Sequence, residues 1–339
     1  MDVLFIILGS LALILIIAFV ILMFNFGKIF CEGTLHLRNP KRKQRKPRKA
    51  SKNPPPKKVD PVEKDRARIE ELRAAGEKWL ESMNPELVYI KSFDGLKLGA
   101  EFVPAKVEGS KKTFIGVHGY TANGHTDFGV VGQLFYEMGY NLLLVSQRAH
   151  RYSEGEYVTF GIYERFDCLN WIKYINERIG EDGTIFLHGI SMGGATVTMT
   201  IGFPDLPKSV KGCISDCALT SGGDMFRMVA KNVLKNTPAK FVPLSVISFF
   251  CNLYCKIKLG CGMDDYSTVE AVKNTKVPLL VIHGDKDDCV PLWMGQKNYD
   301  ECVSEKEILI LEGSGHAVNY QFAPEICREK IKAFVEKYE

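Results

Sequence analysis

Gly189-Ile190-Ser191-Met192-Gly193-Gly194 directly follows an apolar run, Thr184-Ile185-Phe186-Leu187, and precedes the small residues Ala195 and Thr196. A buried strand that breaks at a glycine-flanked serine and resumes as a helix makes a sharp strand-turn-helix bend. Crowding in such a bend leaves no room for Cβ atoms two residues to either side of the serine, so glycine is needed there. The bend presents the serine hydroxyl, and Ser191 is the candidate nucleophile. A structural serine in a glycine-rich turn has the same letters, so the rest of the chain must supply partners.

Two later apolar runs end in loops that do so. Residues 277–282, Val-Pro-Leu-Leu-Val-Ile, have the character of a fully buried strand and lead into His283-Gly284-Asp285-Lys286-Asp287-Asp288-Cys289-Val290-Pro291. Residues 308–311, Ile-Leu-Ile-Leu, lead into Glu312-Gly313-Ser314-Gly315-His316-Ala317. In a parallel sheet the loops after successive strands gather at one edge, so these three loops can meet.

Serine, then aspartate, then histidine, each after a strand, resembles the α/β-hydrolase superfamily, in particular its serine-hydrolase branch with monoacylglycerol-lipase-like and serine-aminopeptidase-like members. The resemblance spans roughly residues 85–339. It includes His118-Gly119-Tyr120-Thr121 after the run 113–117 and the Ser153-Glu154-Gly155 turn. It departs where the family often has Asp-x-Arg-Gly-His-Gly, since this chain has Gln147-Arg148-Ala149-His150-Arg151 and lacks those glycines. The resemblance implies an α/β fold with a mostly parallel sheet flanked by helices and a helical lid inserted after the sixth strand. It also implies acyl transfer to Ser191, with His316 as base and then acid. The family spacing selects Asp287 as the carboxylate that orients His316; Asp285 is the rival, and Asp288 is a solvated loop charge. By the same resemblance, the backbone amides of Tyr120 and Met192 would form the oxyanion hole.

The remaining histidines and cysteines suggest packing. His118, His188 and His283 precede glycines at strand ends, where imidazoles commonly satisfy backbone groups, and His125 and His150 fall in polar loops at the expected entrance. H-E-x-x-H spacing does not occur, and the Cys213/Cys217 and Cys251/Cys255 pairs have no cluster to complete a zinc site. No metal or organic cofactor is expected. Ten cysteines in a chain of this size suit free, buried thiols in a reducing compartment.

Residues 3–24 carry no charge and are long enough to span a bilayer, for which ~20 residues suffice. No basic residue precedes this run and no A-x-A-like site follows, which favours an uncleaved anchor (residues 1–27) over a signal peptide. A basic, Pro-rich linker (28–60) follows. Residues 28–58 contribute +11 and Asp2 −1, so with +4 for the whole chain, residues 59–339 carry −6. The positive-inside rule then predicts a single-pass membrane protein with the catalytic part on the cytoplasmic side. The basic run suits anionic lipid heads, and no nucleic-acid partner is expected.

Residues 61–84 suggest an amphipathic helix, followed by a hairpin around Phe93-Asp94-Gly95. A strand at 141–145 and helices at 164–179 and 324–338 continue an alternating pattern. Between the sixth strand and Val277, residues 219–274 are rich in Met and Phe and are expected to form the lid. A lid over a serine on a tethered enzyme points to a small-molecule acyl ester or lipid substrate. A peptidase or amidase with the same triad, and a non-catalytic binding member of the fold, are the alternatives.

Overall fold

The computed structural model describes residues 2–37 and 61–339; most of the expected basic linker, residues 38–60, lies outside the described residues. Among the described residues, eight strands form one sheet: β1 (Glu86–Lys91), β2 (Lys97–Val103), β3 (Lys112–Val117), β4 (Asn141–Val145), β5 (Thr184–Ile190), β6 (Val210–Asp216), β7 (Leu279–Gly284) and β8 (Lys306–Leu311). Their order is β1-β2-β4-β3-β5-β6-β7-β8. The β1–β2 and β2–β4 pairs are antiparallel and every later pair is parallel.

The central strands are largely buried because both faces of the sheet are covered, with Leu142–Val145, Ile185–Leu187 and Leu279–Ile282 unbroken apolar runs. Successive side chains alternate between two cores: Leu143, Ile185, Leu187, Leu279 and Val281 face one, and Leu142, Leu144, Phe186, Leu280 and Ile282 face the other. Twelve α-helices are described: α1 (Asp2–Phe30), α2 (Pro61–Ser82), α3 (Gly124–Phe128), α4 (Val131–Glu137), α5 (Glu164–Ile179), α6 (Met192–Thr200), α7 (Gly222–Leu234), α8 (Leu244–Leu259), α9 (Thr268–Val272), α10 (Leu292–Glu301), α11 (Asn319–Phe322) and α12 (Pro324–Tyr338). Trp171, Ile172 and Ile175 of α5 fill the first core, and Leu134, Phe135 and Phe334 of α4 and α12 fill the second. Leu80 of α2 is buried in this second core, and Gly76 lets α2 approach the Gly129–Val130 backbone so closely that a Cβ would lie 2.6 Å from it.

Among the described residues, one helix, α1, is long and apolar enough to cross a membrane. Residues 5–22 are exposed. Its polar Ser10 and Asn25 fold back onto the carbonyls of Ile6 and Ile21, four residues earlier, at 2.8 Å each. The end of α1 behaves differently. Burial begins at Met23, and Gly27 rests against Phe250 and Cys251 of α8. The helix runs to Phe30, beyond residue 28 where the linker is expected to begin, and Cys31–Leu35 continue it as a wider turn whose Cys31 and Leu35 are fully buried. These side chains share a core with Phe226, Ile247, Cys251, Tyr254 and Cys255 of the helices between β6 and β7.

Candidate active site

Ser191 stands between β5 and α6 with φ 56° and ψ −115°. A Cβ on Gly189 would lie 2.1 Å from the Gly193 carbonyl oxygen, and one on Gly193 would lie 1.8 Å from that of Val117. Both glycines are therefore steric necessities of the bend. Its geometry is secured from the next strand, where the Asp216 carbonyl accepts the Ser191 N–H at 2.8 Å.

The loops after β7 and β8 bring Asp287 and His316 to this serine. His316 Nε2 is 2.9 Å from Ser191 Oγ, and His316 Nδ1 is 2.7 Å from Asp287 Oδ2. The other Asp287 oxygen accepts the N–H groups of Cys289 and Val290 at 2.9 and 2.8 Å. Asp285 points elsewhere, accepting the Gly313 N–H at 2.6 Å. Burial alone would raise the Asp287 pKa, but hydrogen bonds from His283 and His316, the His316 charge and the Val290 amide hold it well below the usual carboxylate range. Burial disfavours the His316 imidazolium, yet contact with Cys217 and the Asp287 carboxylate outweighs it, and the pKa is raised above 6.5. Burial pushes the Cys217 thiol up to about 12, so at neutral pH this neighbour is uncharged and the carboxylate is the acting cause. Cys217, Asp287 and His316 offer ligand atoms within 4.8 Å of one another, but Asp287 and His316 are already paired in the row that ends on Ser191.

The loop after β3 is held beside the serine by buried groups. Asp127 accepts the Gly119 N–H at 2.8 Å, and His118 Nε2 accepts the Gln147 N–H at 3.2 Å. His150, through Nε2, accepts the N–H of Thr121 at 3.2 Å. This fixes the backbone of Tyr120, while Met192 opens α6, whose first N–H groups have no acceptor within the helix. Burial and the neighbouring His150 lower the His118 pKa to about 3, so it serves this loop as a neutral ring. His283, through Nε2, meets the Val290 carbonyl at 2.9 Å, the role expected of it. His188 differs from that expectation: it makes no hydrogen bond among the described residues and lies against the edges of Phe114 and Phe128. His125 and His150 are buried rather than lining an entrance, and His125 Nε2 pairs with Glu101 at 3.0 Å.

Ala149 and Arg151 occupy the positions of the missing family glycines with φ 64° and 27°, so the loop keeps a glycine-like path without glycine. Among the described residues, eight non-glycine residues have positive φ, and seven of them (Thr121, Ala149, Arg151, Phe160, Ser191, Cys217 and Ala317) lie in the segments that follow β3, β4, β5, β6 and β8. Backbone strain gathered at one sheet edge is a mark of a working site.

Three contributors escape the sequence. Cys217 follows β6 directly, so the rule that places loops at the carboxyl edge of the sheet points to it. Asp127 lies inside a short helix and has no motif around it. The third is the chain leaving α1: the Tyr120 hydroxyl donates to the Thr34 carbonyl at 2.5 Å, and the Tyr120 ring stacks on Phe160 with centroids 5.6 Å apart.

The chain has the α/β-hydrolase fold: a family model for the alpha/beta hydrolase fold matches residues 112–244. It is 25% identical over 226 residues to the uncharacterized protein YqkD of Bacillus subtilis, covering 66% of this chain and 71% of that one. Among solved structures, the esterase Pf2001 of Pyrococcus furiosus superposes with a TM-score of 0.60 at 22% identity, covering 76% of this chain and 93% of the esterase. Est1E of Butyrivibrio proteoclasticus, solved with ferulic acid bound, gives 0.55 at 18% identity over 74% of this chain and 98% of its own.

Proposed function

We propose that this protein is a serine hydrolase that cleaves carboxylic esters of apolar acyl groups through an acyl-enzyme on Ser191. The observation that carries the proposal is the continuous hydrogen-bonded row Ser191–His316–Asp287, which ends on a serine in a strained bend. His316 takes the Ser191 proton as Oγ attacks the ester carbonyl, and Asp287 stabilises the imidazolium that results. The amides of Tyr120 and Met192 receive the negative charge that develops on the carbonyl oxygen. The imidazolium then protonates the departing alcohol. Water, activated by the same ring, attacks the acyl-enzyme and releases the acid. The low carboxylate pKa and the raised imidazole pKa both support charge separation across this pair.

Substrate class is argued from surroundings. Ala195, Leu219, Val290, Met294 and the partly buried Phe160, Met225 and Met228 form an apolar cluster beside the elbow, which suits an acyl group better than a charged one. In this proposal α1 anchors the protein in a membrane, residues 38–60 meet anionic lipid heads from the cytoplasmic side, and the helices in 219–274 act as the lid of a hydrolase domain spanning 85–339.

A panel of p-nitrophenyl esters and matched p-nitroanilides, assayed with the full-length chain in detergent micelles, tests this function. Turnover of the esters, with slower release from the anilides and none of either by Ser191→Ala, is expected. Anilide turnover that matches or exceeds ester turnover would shift the assignment to a peptidase or amidase.

A further inference from the structure

We infer that residues 31–37, the chain that leaves the N-terminal helix, form a wall of the substrate pocket. Between this wall and the helical insertion lies the compartment for the acyl chain, with Phe160 as its gate. The compartment assignment rests on the ester-hydrolase function proposed above; the wall itself rests on contacts.

The segment is built into the site by its backbone. Leu37 N–H donates to the Glu156 carbonyl at 2.8 Å, Val158 N–H donates to the Leu35 carbonyl at 2.9 Å, and His36 pairs with Tyr157 as an isolated antiparallel bridge. Side chains reinforce it. Glu32 accepts the Tyr157 hydroxyl at 2.9 Å and meets His36 Nδ1 at 2.8 Å, and the His36 ring stacks on Tyr157 with centroids 4.4 Å apart. The segment then reaches the reacting centre: the Thr34 carbonyl holds the Tyr120 hydroxyl, and Leu37 packs in one cluster with Met192, Ala149, Val158, Tyr120 and Phe160. Tyr120 and Met192 are the two residues whose amides are assigned to the oxyanion.

Beside this cluster lies a cavity of about 10 Å³, lined mainly by Leu35, Phe160, Ile162, Cys255, Leu259 and Met263, so an acyl chain enters only as these side chains move apart. One of its walls is thus the turn that follows α1 and another is α8. Phe160 belongs to all three apolar clusters that meet here: the one around α1 and α8, the one beside the elbow, and the one containing Leu37. It holds φ 52°, a conformation that a bulky residue adopts only under local constraint. In this inference the Phe160 ring is the barrier between the cavity and Ser191, and turning it aside joins them. Chain-length preference is then set partly by residues that precede the hydrolase fold in sequence, and the compartment opens next to the apolar helix itself.

The test uses the full-length protein in phosphatidylcholine nanodiscs, with Leu37→Trp, Leu37→Ala and Phe160→Ala as variants. Each is assayed on p-nitrophenyl esters from acetate to dodecanoate and labelled with a fluorophosphonate, which reports a folded, activated Ser191. Leu37→Trp is expected to lower the dodecanoate-to-acetate ratio roughly tenfold or more, and Leu37→Ala and Phe160→Ala should raise it, with labelling reporting in each variant that Ser191 is folded and activated. The same ratio in all variants, with labelling intact, overturns the wall. A second readout is independent of catalysis: photolysis with a decanoic acid bearing a terminal diazirine, followed by mapping of adducts. Adducts on the Leu259 and Met263 peptides that Leu37→Trp removes support the compartment, even if the wild type takes no fluorophosphonate and the hydrolase proposal fails. Absence of adducts there in the wild type overturns the compartment.

Discussion

Asp287 and Asp285 are two residues apart, yet their environments assign them different work. Asp287 has one oxygen on His316 and the other on two backbone amides, whereas Asp285 caps the Gly313 amide. Asp287→Asn is predicted to lower kcat by ~10⁴, because the amide no longer holds the required tautomer, while Asp285→Asn, away from the row, should leave kcat unchanged. The pH profile supplies the sign. A general base must be neutral, so kcat/KM rises with pH through the His316 pKa, which the carboxylate raises above 6.5 in the folded protein. Asp287→Asn should therefore move the acidic limb to lower pH as well as reduce its height. A limb that stays in place would remove Asp287 from the role. The same pairing favours the folded state most below the unfolded His pKa, and that contribution is lost as pH rises through the raised folded value.

At the scale of elements, the bend between β5 and α6 admits little variation. Gly193→Ala would place a methyl 1.8 Å from the Val117 carbonyl oxygen, so β3 and the bend cannot both keep their places. We predict a loss of more than ~3 kcal/mol in chemical unfolding, or failure to accumulate folded protein; a variant as stable as wild type would contradict the packing described. This bend was the most legible part of the sequence, because its steric demand writes glycine at fixed spacing. Strand β4 and helices α5 and α12 were legible to the residue, β4 as an unbroken apolar run and α12 from Pro324 at its start. Strand β5 runs on to Ile190, beyond the apolar run ending at Leu187, because His188 and Gly189 continue its parallel pairing with β6. Polarity hides such residues from a hydrophobic pattern, although a buried ladder accepts them. Asp127 was not legible at all, since its partner is a backbone amide eight residues earlier and no side-chain motif records it.

Across the whole molecule, the sequence divides into an apolar helix, a basic run and a domain of α/β-hydrolase fold, and the structure blurs the first boundary. Charge and hydropathy locate the helix but are blind to the tertiary contacts of its last turns. Met23, Cys31 and Leu35 are buried against α7 and α8, and burial of one large apolar side chain is worth about 1.5–3 kcal/mol. A fragment starting at residue 59 is accordingly predicted to unfold at lower temperature than the full-length chain in the same detergent. Equal midpoints would show that the N-terminal contacts contribute nothing to stability.

Activation of Ser191 by His316 and Asp287 is tested most directly by covalent labelling of the full-length chain. Treatment with a fluorophosphonate, followed by peptide mass spectrometry, should place a single adduct on Ser191, with none in Ser191→Ala. Folded wild-type protein that takes no label, or a label that persists in Ser191→Ala, would contradict the account.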